Sequence, residues 1–79
     1  MDHLQTALDR ARRRRGFPSP MERRLLRMRA GLSQADIAKA LGTTRSAVSR
    51  YETGDREPCR EILAKYIDVL DRLSNATTA

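Results

Sequence analysis

At 79 residues the chain has room for one small domain but not for an active-site cleft of the usual size, and no apolar run approaches the ~20 residues of a membrane-crossing helix. A single cysteine, Cys59, excludes an internal disulfide framework and fits a reducing cytoplasm, and the N-terminus lacks the apolar core of a secretory signal. The net charge of +6 and a pI near 10.7 point to a polyanionic partner, with fourteen arginines among the sixteen basic side chains.

The excess charge is concentrated at one end. Residues 1–31 carry nine basic and three acidic side chains, whereas the remainder is close to balance, and Arg12-Arg13-Arg14-Arg15 is the densest point. Leu4, Ala7, Leu8 and Ala11 recur at three- and four-residue spacing, so the stretch from about Asp2 to Arg15 reads as a thinly amphipathic basic helix. Gly16-Phe17-Pro18-Ser19-Pro20 breaks it and forms a short stiff linker.

Ser19-Pro20-Met21-Glu22 is a capping box with proline at the first helical position. The helix it starts should run to Ala30 and stop at Gly31, with Leu25, Leu26, Met28 and Ala30 inward and Arg23, Arg24 and Arg29 solvated or near a polyanion. Ser33-Gln34-Ala35-Asp36 caps a second helix with Ile37, Ala38 and Leu41 on one face. Gly42 ends it in a tight turn, and Thr44 caps a third helix, about Arg45 to Glu52, with Val48 and Tyr51 as its inward pair. Gly54 closes that helix. After the loop from Thr53 to Pro58, a last helix should extend from Arg60 to Leu73, followed by a fraying tail, Ser74 to Ala79. It carries two apolar stripes, Ile62/Tyr66/Val69/Leu73 and Leu63/Ile67/Leu70. A small domain can cover only one easily. With Leu63, Ile67 and Leu70 taken as the core stripe, Tyr66, Val69 and Leu73 are left for a partner helix.

Two short capped helices across a three-residue turn have the form of a helix-turn-helix unit. If Val48 and Tyr51 point inward, then Arg45, Ser46, Ser49 and Arg50 point outward, where an arginine fork matches guanine edges. Gln34 opens the second helix, where free backbone N–H groups favour a phosphate. Thr44 is a helix cap, and Thr43 and Thr44 are both candidates for phosphate contact. No His/Cys/Asp constellation, metal-ligand spacing or glycine-rich phosphate loop is present, so neither an enzyme nor a cofactor is expected. His3 stands alone, Cys59 reads as a helix-start residue, and Tyr51 and Tyr66 read as packing residues rather than base-stacking platforms.

The residues Arg27, Gly31-Leu32-Ser33-Gln34, Ile37-Ala38, Leu41-Gly42, Ser46-Ala47-Val48-Ser49, Tyr51-Glu52, Gly54 and Pro58 resemble the lambda-repressor-like Cro/repressor (XRE-type) helix-turn-helix family over about residues 20–73. The resemblance implies an all-α fold, a compact bundle of short helices whose third helix enters the major groove, here preceded by the basic N-terminal helix. It divides the chain into an extension (1–18), a DNA-binding domain (19–73) and a tail (74–79). It implies that Gln34 binds backbone phosphate and braces the recognition helix, and that Arg27 and Glu52 form a partly buried ion pair. It further implies a transcriptional regulator in a bacterial or phage-infected cell, nucleoid-associated, that binds a near-palindromic operator as a homodimer. The family pattern gives residues 1–18 no role; the arginine run beside a DNA-binding unit is expected to touch phosphate or the minor groove. The competing reading is an antitoxin or other protein-interaction module that also binds its own operator.

Overall fold

The computed structural model describes residues 3–4 and 17–78. Among them four helices follow one another: α1 (Pro20–Arg29), α2 (Gln34–Leu41), α3 (Arg45–Thr53) and α4 (Arg60–Thr78). The expected N-terminal helix and the Arg12–Arg15 run lie outside the described residues, His3 and Leu4 apart. None of the helices is long and apolar enough to cross a membrane, among the described residues.

Local chemistry sets the boundaries. Ser19 Oγ accepts from the Glu22 N–H at α1, with Pro20 at the first helical position, where its missing N–H costs nothing. At α2 the capping box is reciprocal: Ser33 Oγ accepts from the Asp36 N–H at 3.0 Å, and Asp36 Oδ2 accepts from the Ser33 N–H at 2.8 Å. The Ser33 backbone and side-chain hydrogen bonds hold the Asp36 carboxyl below its usual range. Gly42 adopts φ 72°, and the N–H groups of Gly42 and Thr43 return to the carbonyls of Lys39 and Ala38. This double closure satisfies the Ala38 and Lys39 carbonyls and requires a left-handed residue, so the chain can turn at once into α3.

The core forms where all four helices meet: Ile37, Ala38 and Leu41 from α2, Ala47, Val48 and Tyr51 from α3, and Tyr66, Leu70 and Leu73 from α4. Leu26 of α1 and Ala30, which caps that helix's C-terminus, pack against the edge of the core, as does Phe17 from the lead-in segment.

Two expectations about facing are corrected. On α1 the inward stripe is Arg23, Leu26, Arg27 and Ala30, which leaves Leu25 and Met28 exposed. Arg23, expected to be solvated or near a polyanion, is buried. On α4 the buried line is Tyr66, Leu70 and Leu73, drawn from both stripes, with Ile62 and Val69 packed beside it and Ile67 on the surface. The helix is rotated so that Tyr66 meets Tyr51 and Phe17, at ring-centroid distances of 5.8 and 5.5 Å. Tyr66 and Leu73, named above as a pairing surface, therefore belong to the core, and Val69 packs against it. α4 also continues past Leu73 to Thr78, since no glycine or proline interrupts Ser74 to Thr78.

Candidate nucleic-acid interface

α3 has two distinct sides. Ala47, Val48, Tyr51 and Glu52 are buried, whereas Arg45, Ser46 and Arg50 are exposed and Ser49 is half-buried. The spacing accounts for this: 47, 48, 51 and 52 form one i, i+3/i+4 stripe, and 45, 46, 49 and 50 fall on the opposite side. Together with Gln34 from α2, the outward four line a shallow depression of about 220 Å³ that contains no carboxylate. The first turn of α3 carries no acidic residue, so its positive dipole end is left unneutralised. Thr44 caps this end, its Oγ1 accepting from the Ala47 N–H at 3.1 Å. Its hydroxyl hydrogen remains available as a donor. Thr43, next to it in the turn, is half-buried.

The inner side of α3 is held by two arginines from α1. Arg27 donates from Nε to Glu52 Oε2 at 2.7 Å and from Nη2 to Oε1 at 3.0 Å, a two-pronged pairing with a carboxylate whose side chain is only 2 % exposed. Its Nη1 donates to the Leu32 carbonyl at 2.9 Å, and Gln34 Nε2 donates to Glu52 Oε1 at 3.1 Å. One carboxylate thus joins α1, the start of α2 and the end of α3. The hydrogen bond to Glu52 holds the Arg27 guanidinium above its ordinary range, against the burial that works the other way.

Arg23, one turn earlier, is the second brace. It donates to the carbonyls of Pro18 (2.8 Å) and Tyr51 (3.0 Å), and Glu57 Oε2 lies 3.4 Å from Nη2. The Tyr51 carbonyl is one of the last four of α3, which have no partner inside the helix. The guanidinium carbon sits 4.0 Å from the Phe17 ring centroid, a cation–π stack closed off from water. Hydropathy passes over Arg23 because it seeks apolar residues on the inward face. The i, i+4 relation of Arg23 to Arg27 is the signal that could have found it.

Tyr66 closes the cluster. Its hydroxyl is buried with no hydrogen-bond partner among the described residues, and burial, with the Glu52 charge adding to it, pushes its pKa up to about 12.

Two capped helices across a Gly42-centred turn, the second with its inner side locked and its outer side cationic, define a helix-turn-helix DNA-binding module. The chain belongs to the XRE-type helix-turn-helix family, whose model, described as Helix-turn-helix, matches residues 24–74. It is on that ground a DNA-binding protein of a regulator family. Comparison with curated proteins and with solved structures gave no significant match.

Proposed function

We propose that this protein is a sequence-specific double-stranded DNA-binding transcriptional regulator of Cro or repressor type, with α3 in the major groove. The observation that carries this reading is the outward row Arg45, Ser46, Ser49 and Arg50 on a helix whose other side is fixed by the Arg27–Glu52 pairing. A rigidly held helix presents its side chains at a defined angle, which base readout requires. In this reading Arg45 and Arg50 take guanine edges and the two serines take base edges or phosphate. Gln34 holds Glu52 with one amide hydrogen and has a second for phosphate, with Thr43 and Thr44 as neighbouring donors. The Arg12–Arg15 run adds sequence-independent phosphate or minor-groove contact. One recognition helix reads too few base pairs to select a genomic site, so two copies on a near-palindromic operator complete the site. The role belongs to an intracellular protein acting at the nucleoid.

Selection from random duplexes tests the proposal. It should enrich a near-palindrome whose half-sites lie roughly 34–36 Å apart, centre to centre. Enrichment of no sequence at all, with binding that depends on salt alone, would overturn it.

A further inference from the structure

Among residues 17–78 the most exposed large apolar side chains lie on α1. Met21, Leu25 and Met28 are 66, 40 and 52 % exposed, and they stand at i, i+4 and i+7. That is the spacing of a helix-pairing seam, in which successive apolar residues stay on one line over two turns. The flank of the seam is charged in a particular order. Glu22 and Arg29 are seven residues apart and therefore lie on the same side of it, one near each end of the helix. Neither forms an ion pair with another described residue. Arg24 stands on the other flank and is exposed.

We infer that this face is where a second copy of the chain docks, α1 against α1 in antiparallel orientation, with Leu25 at the two-fold axis. The argument is charge complementarity under symmetry. In an antiparallel pair each flank meets its own reversed copy. Glu22 of one copy then faces Arg29 of the other, and the same contact recurs on the far side of the axis, as an isologous interface demands. A parallel pair would set Arg24 against Arg29 and leave Glu22 without an opposite charge. The antiparallel seam also brings Met21 of each copy beside Met28 of the other, two flexible side chains able to fill an irregular contact. Beside the seam, Leu25 and Leu26 of α1 and Leu70 of α4 line a surface groove bordered by Glu22, Arg29 and Asp71. The docked helix would cover that apolar surface as well.

The contact is small. A ten-residue helix is about 15 Å long, so the pair falls short of the roughly 1,000 Å² of a stable interface. Arg24 also lies close to its own symmetry mate near the axis, which weakens the pair further. The copies therefore meet chiefly when DNA holds them at high effective concentration, and the contact appears as cooperativity between half-sites. The inference rests on the DNA-binding reading above.

The test titrates duplexes bearing one selected half-site or two, with each variant's fold checked by circular dichroism. Leu25→Glu and Met28→Glu should leave one-site affinity intact and lower two-site cooperativity by roughly tenfold, about 1.4 kcal/mol. Glu22→Arg and Arg29→Glu should each reduce it, and the doubly exchanged chain should recover it. Arg24→Gln should raise it. Unchanged cooperativity in Leu25→Glu and Met28→Glu, or a double exchange no better than the single changes, would overturn the interface while one-site binding stands. If no duplex is bound, the DNA reading fails by itself. Sedimentation equilibrium of the concentrated free protein then decides the contact, through self-association that Leu25→Glu abolishes or leaves untouched.

Discussion

Replacing Arg27 by methionine would leave the Glu52 carboxylate in place, 2 % exposed, with the Gln34 amide as its one remaining side-chain donor among the described residues. Removing one partner of a buried ion pair typically costs ~3–5 kcal/mol, because the stranded charge keeps its desolvation penalty. At roughly 0.05–0.15 kcal/mol per residue a chain of this length has a total stability of only several kcal/mol, so the loss is a large share of it. At ~4–8 °C per kcal/mol for a domain of this size, even the lower figure moves the melting temperature by more than ~10 °C. Glu52→Leu should cost less than Arg27→Met, since Arg27 is 13 % exposed and can reach water. The double variant should recover part of the loss, because a buried pair and a well-packed apolar substitute are often nearly equivalent. Urea denaturation of the two single variants and the double variant, followed by circular dichroism, gives the coupling directly. The expected value lies in the upper part of the ~0.5–3 kcal/mol range seen for contacting residues. Strictly additive losses would show that the bonds at 2.7 and 3.0 Å do not hold α3, and the claim that this pairing aims the helix would go with them.

Further outcomes follow from the same cluster and from the N-terminal segment. Tyr66→Phe removes a buried hydroxyl that has no partner among the described residues, so stability at neutral pH should be unchanged or rise by up to about 1 kcal/mol. The wild-type chain should lose roughly 2 kcal/mol as pH rises from about 10 to about 12, because the unfolded tyrosine ionises first and the folded one resists. The Phe variant should lack that step in chemical denaturation across this range; an identical alkaline limb would place the ionisation elsewhere. Arg23→Lys should cost ~2 kcal/mol or more, since an ammonium cannot both stack on Phe17 and reach the Pro18 and Tyr51 carbonyls; a melting temperature within error of wild type would mean that charge alone matters there. Deleting residues 1–16 should keep the preferred sequence and reduce the slope of log affinity against log salt by ~0.9 for each phosphate that the arginine run neutralises. An unchanged slope would reduce that run to a solvated segment.

The starts and stops of α1, α2 and α3 were legible in the sequence because their signals are local. Ser19-Pro20, Ser33 with Asp36, Thr44, Gly42 and Gly54 each act within about one turn of themselves. The outward set on α3 was legible for a similar reason, since Val48 and Tyr51 fix the rotation of a helix with few apolar residues. α1 and α4 were harder because their rotation depends on partners far along the chain. On α1 two of the four inward positions are arginines, whose aliphatic stems and planar heads pack against Phe17 and Glu52; hydropathy counts them as surface. On α4 the two candidate stripes are nearly equal in apolar content. The choice falls to Tyr66, whose ring is placed by Tyr51 and by Phe17, a residue the sequence assigned to a linker. The Arg27–Glu52 contact spans 25 residues, and only the family resemblance suggested it.

The central claim is that the outer side of α3 reads bases. Its most direct measurement is the affinity of Arg45→Ala and Arg50→Ala for the selected duplex and for random duplex, at one salt concentration. Each variant should lose ~1–3 kcal/mol on the selected duplex and much less on random DNA, with preference relaxed at one or two base positions. Equal losses on both duplexes would show that these arginines hold phosphate and that sequence is read elsewhere.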